Sequence, residues 1–135
     1  MVKIVCDTNI YISAILFGGV CEKILELARK KQIEIYISPA ILSETLIVLT
    51  RKGSSDQLMI QILAEINSLT NLITPQKKLS IIKEKEADNR ILECAEESKV
   101  DYIVTGDAKH ILPLKKYKEI KIVPPSEFLN LIGYK

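Results

Sequence analysis

The chain has 135 residues, with 19 Lys and Arg against 17 Asp and Glu for a formal net charge of +2, and 47% of it is hydrophobic. This length fits a single domain over residues 1–135 with a sizeable core, which excludes a disordered or low-complexity chain. The near-neutral balance gives no whole-molecule field toward a polyanion. Apolar runs interrupted well before about 18 residues exclude a membrane-spanning helix, and without a basic-then-apolar start the expected address is cytoplasmic.

Val2 to Cys6 is apolar except for Lys3, the pattern of a short strand buried on both faces of a parallel sheet. Helical spacing follows through Ile12, Ile15 and Leu16 up to Gly18-Gly19, then through Ile24, Leu25, Leu27 and Ala28 up to Lys30-Lys31. Glu34 to Ile37 ("EIYI") reads as a second strand. Ser38-Pro39 pairs a capping residue with proline at the first helical position, which predicts a helix from Pro39 to about Arg51. "SSDQ" is a second cap, leading into an amphipathic helix through Leu58, Ile62, Ile66 and Leu69.

Asn71 to Thr74 ("NLIT") is a candidate third strand. The stretch "QKKLSIIKEKEADNR" is mixed in pattern, with a helix expected from about Asp88 to Glu97. "YIVTGD" then gives a strand and turn, "IKIV" a last strand and "PSEFLNLI" a closing helix. Strands alternating with helices, with no hairpin dipeptide of the Asn-Gly kind, predict an α/β fold with a mainly parallel sheet and right-handed crossovers. Cys6, Cys21 and Cys94 lack CxxC spacing and lie in apolar segments, so they read as buried, reduced thiols.

Four acids stand out by position. Asp7 directly follows the first strand and Asp107 comes two residues after a later one, so both belong at the carboxyl edge of the sheet, where ligands of such folds collect. Glu44 sits at the margin of an apolar helical arc of Ile41, Leu42, Leu46, Val48 and Leu49. Asp88 heads a stripe of Ile91, Leu92 and Ala95. Each has a bland reading: helix cap for Asp7 and Asp88, turn chemistry for Asp107, a snorkelling surface residue for Glu44. Clustered, the four would repel one another and require a cation. With all-oxygen donors that cation is Mg²⁺ or Mn²⁺, and the chemistry it brings is phosphodiester hydrolysis.

The doublets Lys30-Lys31, Arg51-Lys52, Lys77-Lys78 and Lys115-Lys116 are solvated helix ends on one reading and a phosphate-binding rim on the other. His110 beside Lys109 reads as a loop or surface residue and stays outside the site. Tyr117 and Tyr134 are assigned to packing.

The ordered set "VCDTNIYIS", "ISPAILSETLIVL", "EADNRILECAEESKVDYIVTGD" and "IVPPSEFL" resembles the PIN-domain family, in particular VapC-like toxins of toxin-antitoxin systems, over roughly Ile4 to Leu129. The resemblance implies a three-layer α/β/α fold around a mainly parallel sheet of four to five short strands. It also implies an Mg²⁺- or Mn²⁺-dependent endoribonuclease, a homodimer, and a cognate antitoxin. Carried over residue by residue, the family's acids fall on Asp7, Glu44, Asp88 and Asp107. Asp7, Asp88 and Asp107 would be metal ligands, and Glu44 a ligand or a water-positioning base. Asn9 and Thr105 would be supporting groups. Two departures stand out: Asn89 follows Asp88 where relatives have a denser acid cluster, with Glu84 and Glu86 further upstream, and Ala108, Lys109 and His110 follow Asp107 where relatives can carry another acid. One tightly bound ion is therefore expected, a second being optional.

Two rivals come from other classes. An aspartyl-phosphate phosphatase would need a second Asp two residues after Asp7, where Asn9 stands. A non-catalytic RNA- or protein-binding module would have no use for four clustered acids, which are costly to keep together.

Overall fold

A computed structural model describes residues 1–82 and 86–134. In chain order its elements are β1 (Val2–Cys6), α1 (Thr8–Phe17), α2 (Gly19–Arg29), β2 (Ile33–Ile37), α3 (Pro39–Arg51), α4 (Asp56–Leu69), β3 (Thr70–Leu72), α5 (Glu86–Ser98), β4 (Tyr102–Val104), β5 (Lys116–Tyr117), β6 (Ile120–Val123) and α6 (Pro125–Leu131). A 3-10 turn over Leu112–Leu114 leads into β5.

The strands form one sheet in the order β3-β2-β1-β4-β6-β5. All pairings are parallel except β5 with β6. From β1 to β2 to β3 the chain steps one way; from β3 to β4 to β6 it steps back. Right-handed crossovers then put α2 and α4 on one face and α5 on the other, giving three layers, with α3 touching both α1 and α5. The contacts agree: α5 packs on β1, β2 and β4, while α2 packs on β2 with α4 and α6 beside it. Ile4, Val5, Cys6, Ile35, Ile37, Ile103 and Val104 are buried, because strands covered on both faces bury alternate residues in each direction.

The caps form as the sequence predicts. Ser38 accepts from the Ile41 N–H at 3.3 Å with Pro39 opening α3, and Ser55 accepts from the Leu58 N–H at 3.1 Å to open α4.

Several expectations need correction. The sheet has six strands rather than four to five, because Lys116–Tyr117 turns back on β6 in a two-residue hairpin arm. Its turn, Lys118-Glu119, uses no Asn-Gly signal; Lys118 adopts a φ of 54° instead. The third strand is Thr70–Leu72 rather than residues 71–74. The helix expected at Asp88 starts at Glu86, so Asp88 lies within its first turn and is not its cap. Cys6 and Cys94 are buried, but Cys21 is only half-buried. Glu84 lies outside the described residues.

Residues 76–82 form no helix or strand, and side chains of α5 hold them. Glu97 accepts from the Gln76 N–H at 2.8 Å and Glu93 from the Leu79 N–H at 2.6 Å. Asn89 accepts from the Ile82 N–H at 2.8 Å and donates to the Ile82 carbonyl at 2.6 Å. Spaced by four, these three residues share one helix face and supply the partners that a sheet neighbour would otherwise give.

Candidate metal centre

The chain reverses its stepping direction between β1 and β4, and ligands of open parallel sheets bind beyond the strand ends at such a point. Asp7 leaves β1 there, its N–H donating to the Val104 carbonyl at 3.1 Å. Thr105 and Asp107 leave β4 at the same edge, with the Thr105 N–H bonded to the Val123 carbonyl at 3.0 Å. The sheet register therefore brings residues a hundred positions apart into contact.

Asp7 is 5% exposed and does two jobs. Its Oδ1 accepts from the Asn9 N–H at 2.8 Å, capping α1, and its Oδ2 accepts from the Thr105 hydroxyl. The Thr105 Oγ1 in turn accepts from the Asp107 N–H at 3.0 Å. One buried hydroxyl thus ties the first acid to the last. Burial pushes the Asp7 carboxyl above the ordinary aspartate value; bonds from Thr105, Asn9 and Ile10 pull it down, and the charge of Asp107 pushes it up again. A cation beside Asp7 would oppose this upward shift.

Asp107 divides its oxygens. Oδ1 accepts from the Lys109 and His110 N–H groups, both at 3.0 Å, and so fixes the following turn. Oδ2 faces the His110 Nδ1 at 3.5 Å, and the Asp88 Oδ2 lies 3.8 Å from that nitrogen. Asp88 itself is buried on the first turn of α5.

A cleft of about 180 Å³ opens on this edge, lined by Asp7, Asp88 and Asp107, with Glu44 half-buried on α3 as a fourth acid. Asn9 also lines it, exposed, and its N–H is the backbone donor to Asp7. Ala40, Ile41, Val48 and Ile91 form an apolar wall. The sequence-derived acids are thus gathered around one cleft. Ligating atoms of Asp88 and Asp107 come within 4.8 Å of each other and of His110, a group that includes neither Asp7 nor Glu44. Among the described residues the donor set fits a divalent ion: carboxylates dominate, one of them raised by burial, and a single imidazole joins them.

Two residues absent from the sequence-derived site belong to this region. His110, expected on a loop surface, stands half-buried at the cleft's edge, placed there by the turn that Asp107 caps. An Asp followed by a turn residue at the third position was the available signal. Among the described residues, Arg90 is the cation that lines the cleft, held at the Leu79 carbonyl (2.9 Å) and at Glu93 (2.8 Å). No Lys/Arg doublet lines it; Lys77 instead pairs with Glu96 at 2.9 Å. The thiols play no visible part, since burial raises all three, Cys94 to about 12.

The family model described as PIN domain matches residues 3–109. The chain belongs to the PIN-domain family. An uncharacterized protein of Methanocaldococcus jannaschii is 33% identical over 144 residues, covering 96% of this chain and 90% of that protein. Among solved structures, a chain of VapBC2 from Rickettsia felis, bound to a DNA fragment from their promoter, is 19% identical. It aligns with a TM-score of 0.62 over 90% of this chain and 98% of its own. A chain of VapBC-1 from nontypeable Haemophilus influenzae is 15% identical, with a TM-score of 0.65 over 92% and 98%. At these identities the likeness is one of fold, and the three-layer PIN architecture is common to all. No helix among the described residues is long and apolar enough to cross a membrane.

Proposed function

We propose that this PIN domain is a divalent-metal-dependent endoribonuclease, the toxin of a toxin-antitoxin pair, acting in the cytoplasm on RNA phosphodiester bonds. The observation that carries this reading is the convergence of Asp7, Glu44, Asp88 and Asp107 on one cleft at the point where the sheet reverses direction. Asp7, Asp88 and Asp107 would hold the ion, Mg²⁺ or Mn²⁺. When bound, such an ion supplies a water nucleophile at neutral pH and polarises a phosphoryl oxygen.

The chain's own groups do the rest. Thr105 keeps Asp7 oriented through its hydroxyl, as outer partners of metal ligands do, and Asn9 fixes the other oxygen through its N–H. Glu44, which lines the same cleft from α3, accepts the proton that the attacking water loses. The water oxygen bonds to phosphorus, the bond to the departing ribose oxygen breaks, and that oxygen takes up a proton. Arg90 neutralises a non-bridging phosphate oxygen, for which a guanidinium fork is suited. The wall of Ala40, Ile41, Val48 and Ile91 offers an unpaired nucleotide an apolar face.

A cognate antitoxin and a homodimer complete the reading. Support for the antitoxin is that the similar folds come from VapBC structures; the homodimer follows from the family resemblance. Incubating single-stranded RNA with the wild type and with Asp7→Asn, with Mn²⁺ or Mg²⁺ and with chelator, tests the activity. Cleavage by the wild type with metal alone is expected. Equal cleavage by both proteins would remove the site assignment, and metal-independent phosphatase activity would favour the aspartyl-phosphate alternative.

A further inference from the structure

We infer that His110 is a ligand of the bound ion, giving this PIN domain a mixed nitrogen and oxygen site that favours Mn²⁺ over Mg²⁺. The inference rests on the metal-centre reading above and adds a donor to it. His110 is the chain's only histidine, and it sits where Ala108, Lys109 and His110 follow the last acid.

The geometry is the argument. The His110 Nδ1 is 3.5 Å from the Asp107 Oδ2 and 3.8 Å from the Asp88 Oδ2. Both are longer than an N–H···O hydrogen bond, about 2.7–3.2 Å. They match ligands sharing one ion: with bonds of about 2.1 Å, neighbouring octahedral donors lie about 3.0 Å apart and opposite ones about 4.2 Å. All three atoms lie within 4.8 Å of one another.

The position of the imidazole is built in. Asp107 spends Oδ1 on the N–H groups of Lys109 and His110, which orders the turn and leaves Oδ2 toward the ring. Asp88 is held on α5, whose neighbour Asn89 is locked to Ile82. His110 stands at the edge of the cleft rather than among the residues lining it.

Imidazole binds the transition metals and has little use for Mg²⁺, which takes oxygen and water. A nitrogen donor here therefore tilts the site toward Mn²⁺. His110→Ala should weaken Mn²⁺ binding roughly tenfold or more and Mg²⁺ binding far less. His110→Asp should recover Mg²⁺ and lose the Mn²⁺ preference.

The test uses the untagged chain loaded with Mn²⁺ and pulsed electron paramagnetic resonance, read beside calorimetric titrations of both ions. The expected result is nitrogen-14 modulation from a directly bound imidazole in the wild type, absent in His110→Ala and His110→Asp while circular dichroism shows both folded. Because no other histidine exists, that signal has one source. Bound Mn²⁺ without nitrogen modulation would overturn the inference, as would equal loss of Mn²⁺ and Mg²⁺ affinity in His110→Ala. RNA cleavage is scored separately: nitrogen coordination without cleavage leaves this inference standing and removes the nuclease reading, and cleavage without nitrogen coordination does the reverse.

Discussion

Helix α5 carries an acid near each end, and the two live in opposite electrostatic worlds. Toward its carboxyl end, Glu96 is met by Lys118 at 2.7 Å, Lys77 at 2.9 Å and the Tyr117 hydroxyl at 2.7 Å. These partners pull its carboxyl down to about 2. At the other end Asp88 joins Asp7, Glu44 and Asp107 around a cleft that Arg90 also lines, and burial holds Asp7 above its ordinary value. Where the chain pairs an acid with its own cations the result is structure; where it gathers acids at a sheet edge, it favours a counterion. A divalent cation is the chemically suited counterion.

The largest effect that sharpens this contrast is Asp7→Asn. We expect RNA cleavage to fall by about 10²–10³-fold, the scale for removing one charge-stabilising group. The same variant should raise the melting temperature of the metal-free protein. A raised folded value means Asp7's stabilisation is present below the unfolded value of about 3.9 and lost as pH rises through the folded one, so at neutral pH Asn relieves a penalty. Asn also keeps the α1 cap. Thermal unfolding in chelator decides; a fall would refute the assignment of burial as the dominant influence on Asp7.

Asn89→Leu should cost about 2–4 kcal/mol, since it orphans both backbone groups of Ile82 in a buried site. Denaturant unfolding measures it. A change under about 1 kcal/mol would show that the α5 face does not organise residues 76–82.

Thr105→Val keeps shape but removes the donor to Asp7 and the acceptor of the Asp107 N–H. We expect divalent-ion affinity to drop by roughly tenfold, measured by calorimetry, with wild-type affinity as the contradicting result.

The matched end gives the opposite pH signature. Because Glu96 titrates lower folded than unfolded, its stabilisation is present above about 4.3 and is lost as pH falls toward about 2. Glu96→Gln should therefore destabilise the protein at pH 7 and converge with the wild type near pH 2 in urea titrations. The smallest effect concerns Lys99, which ends α5 at φ 54°: Lys99→Gly should stabilise by about 1 kcal/mol, seen as a rise in denaturant midpoint.

These contrasts also mark what the sequence disclosed. Asp7 and Asp107 were legible because each follows an apolar run that could only be a buried strand, and Glu44 because it interrupts the margin of a periodic helix. Asp88 was legible as the head of a stripe, though its helix begins two residues earlier. The hairpin of Lys116–Tyr117 was not, since two-residue strands carry no periodicity and a lysine, Lys118, took the left-handed turn position. Arg90 and His110 were missed for a related reason. Arg90 is oriented by the irregular segment at Leu79, and His110 by a turn that Asp107 caps, and neither partner can be read from spacing along a helix or strand.

The measurement that bears most directly on the cation requirement is the melting temperature of the wild type and Asp7→Asn with chelator and with millimolar Mn²⁺, alongside Glu96→Gln. An ion that binds only the folded chain stabilises it by mass action, about 2.7 kcal/mol at a hundred times its dissociation constant. We predict a clear Mn²⁺-dependent rise for the wild type and Glu96→Gln, and almost none for Asp7→Asn. An equal rise in Asp7→Asn, or no rise in the wild type, would contradict a divalent-metal site at this cleft.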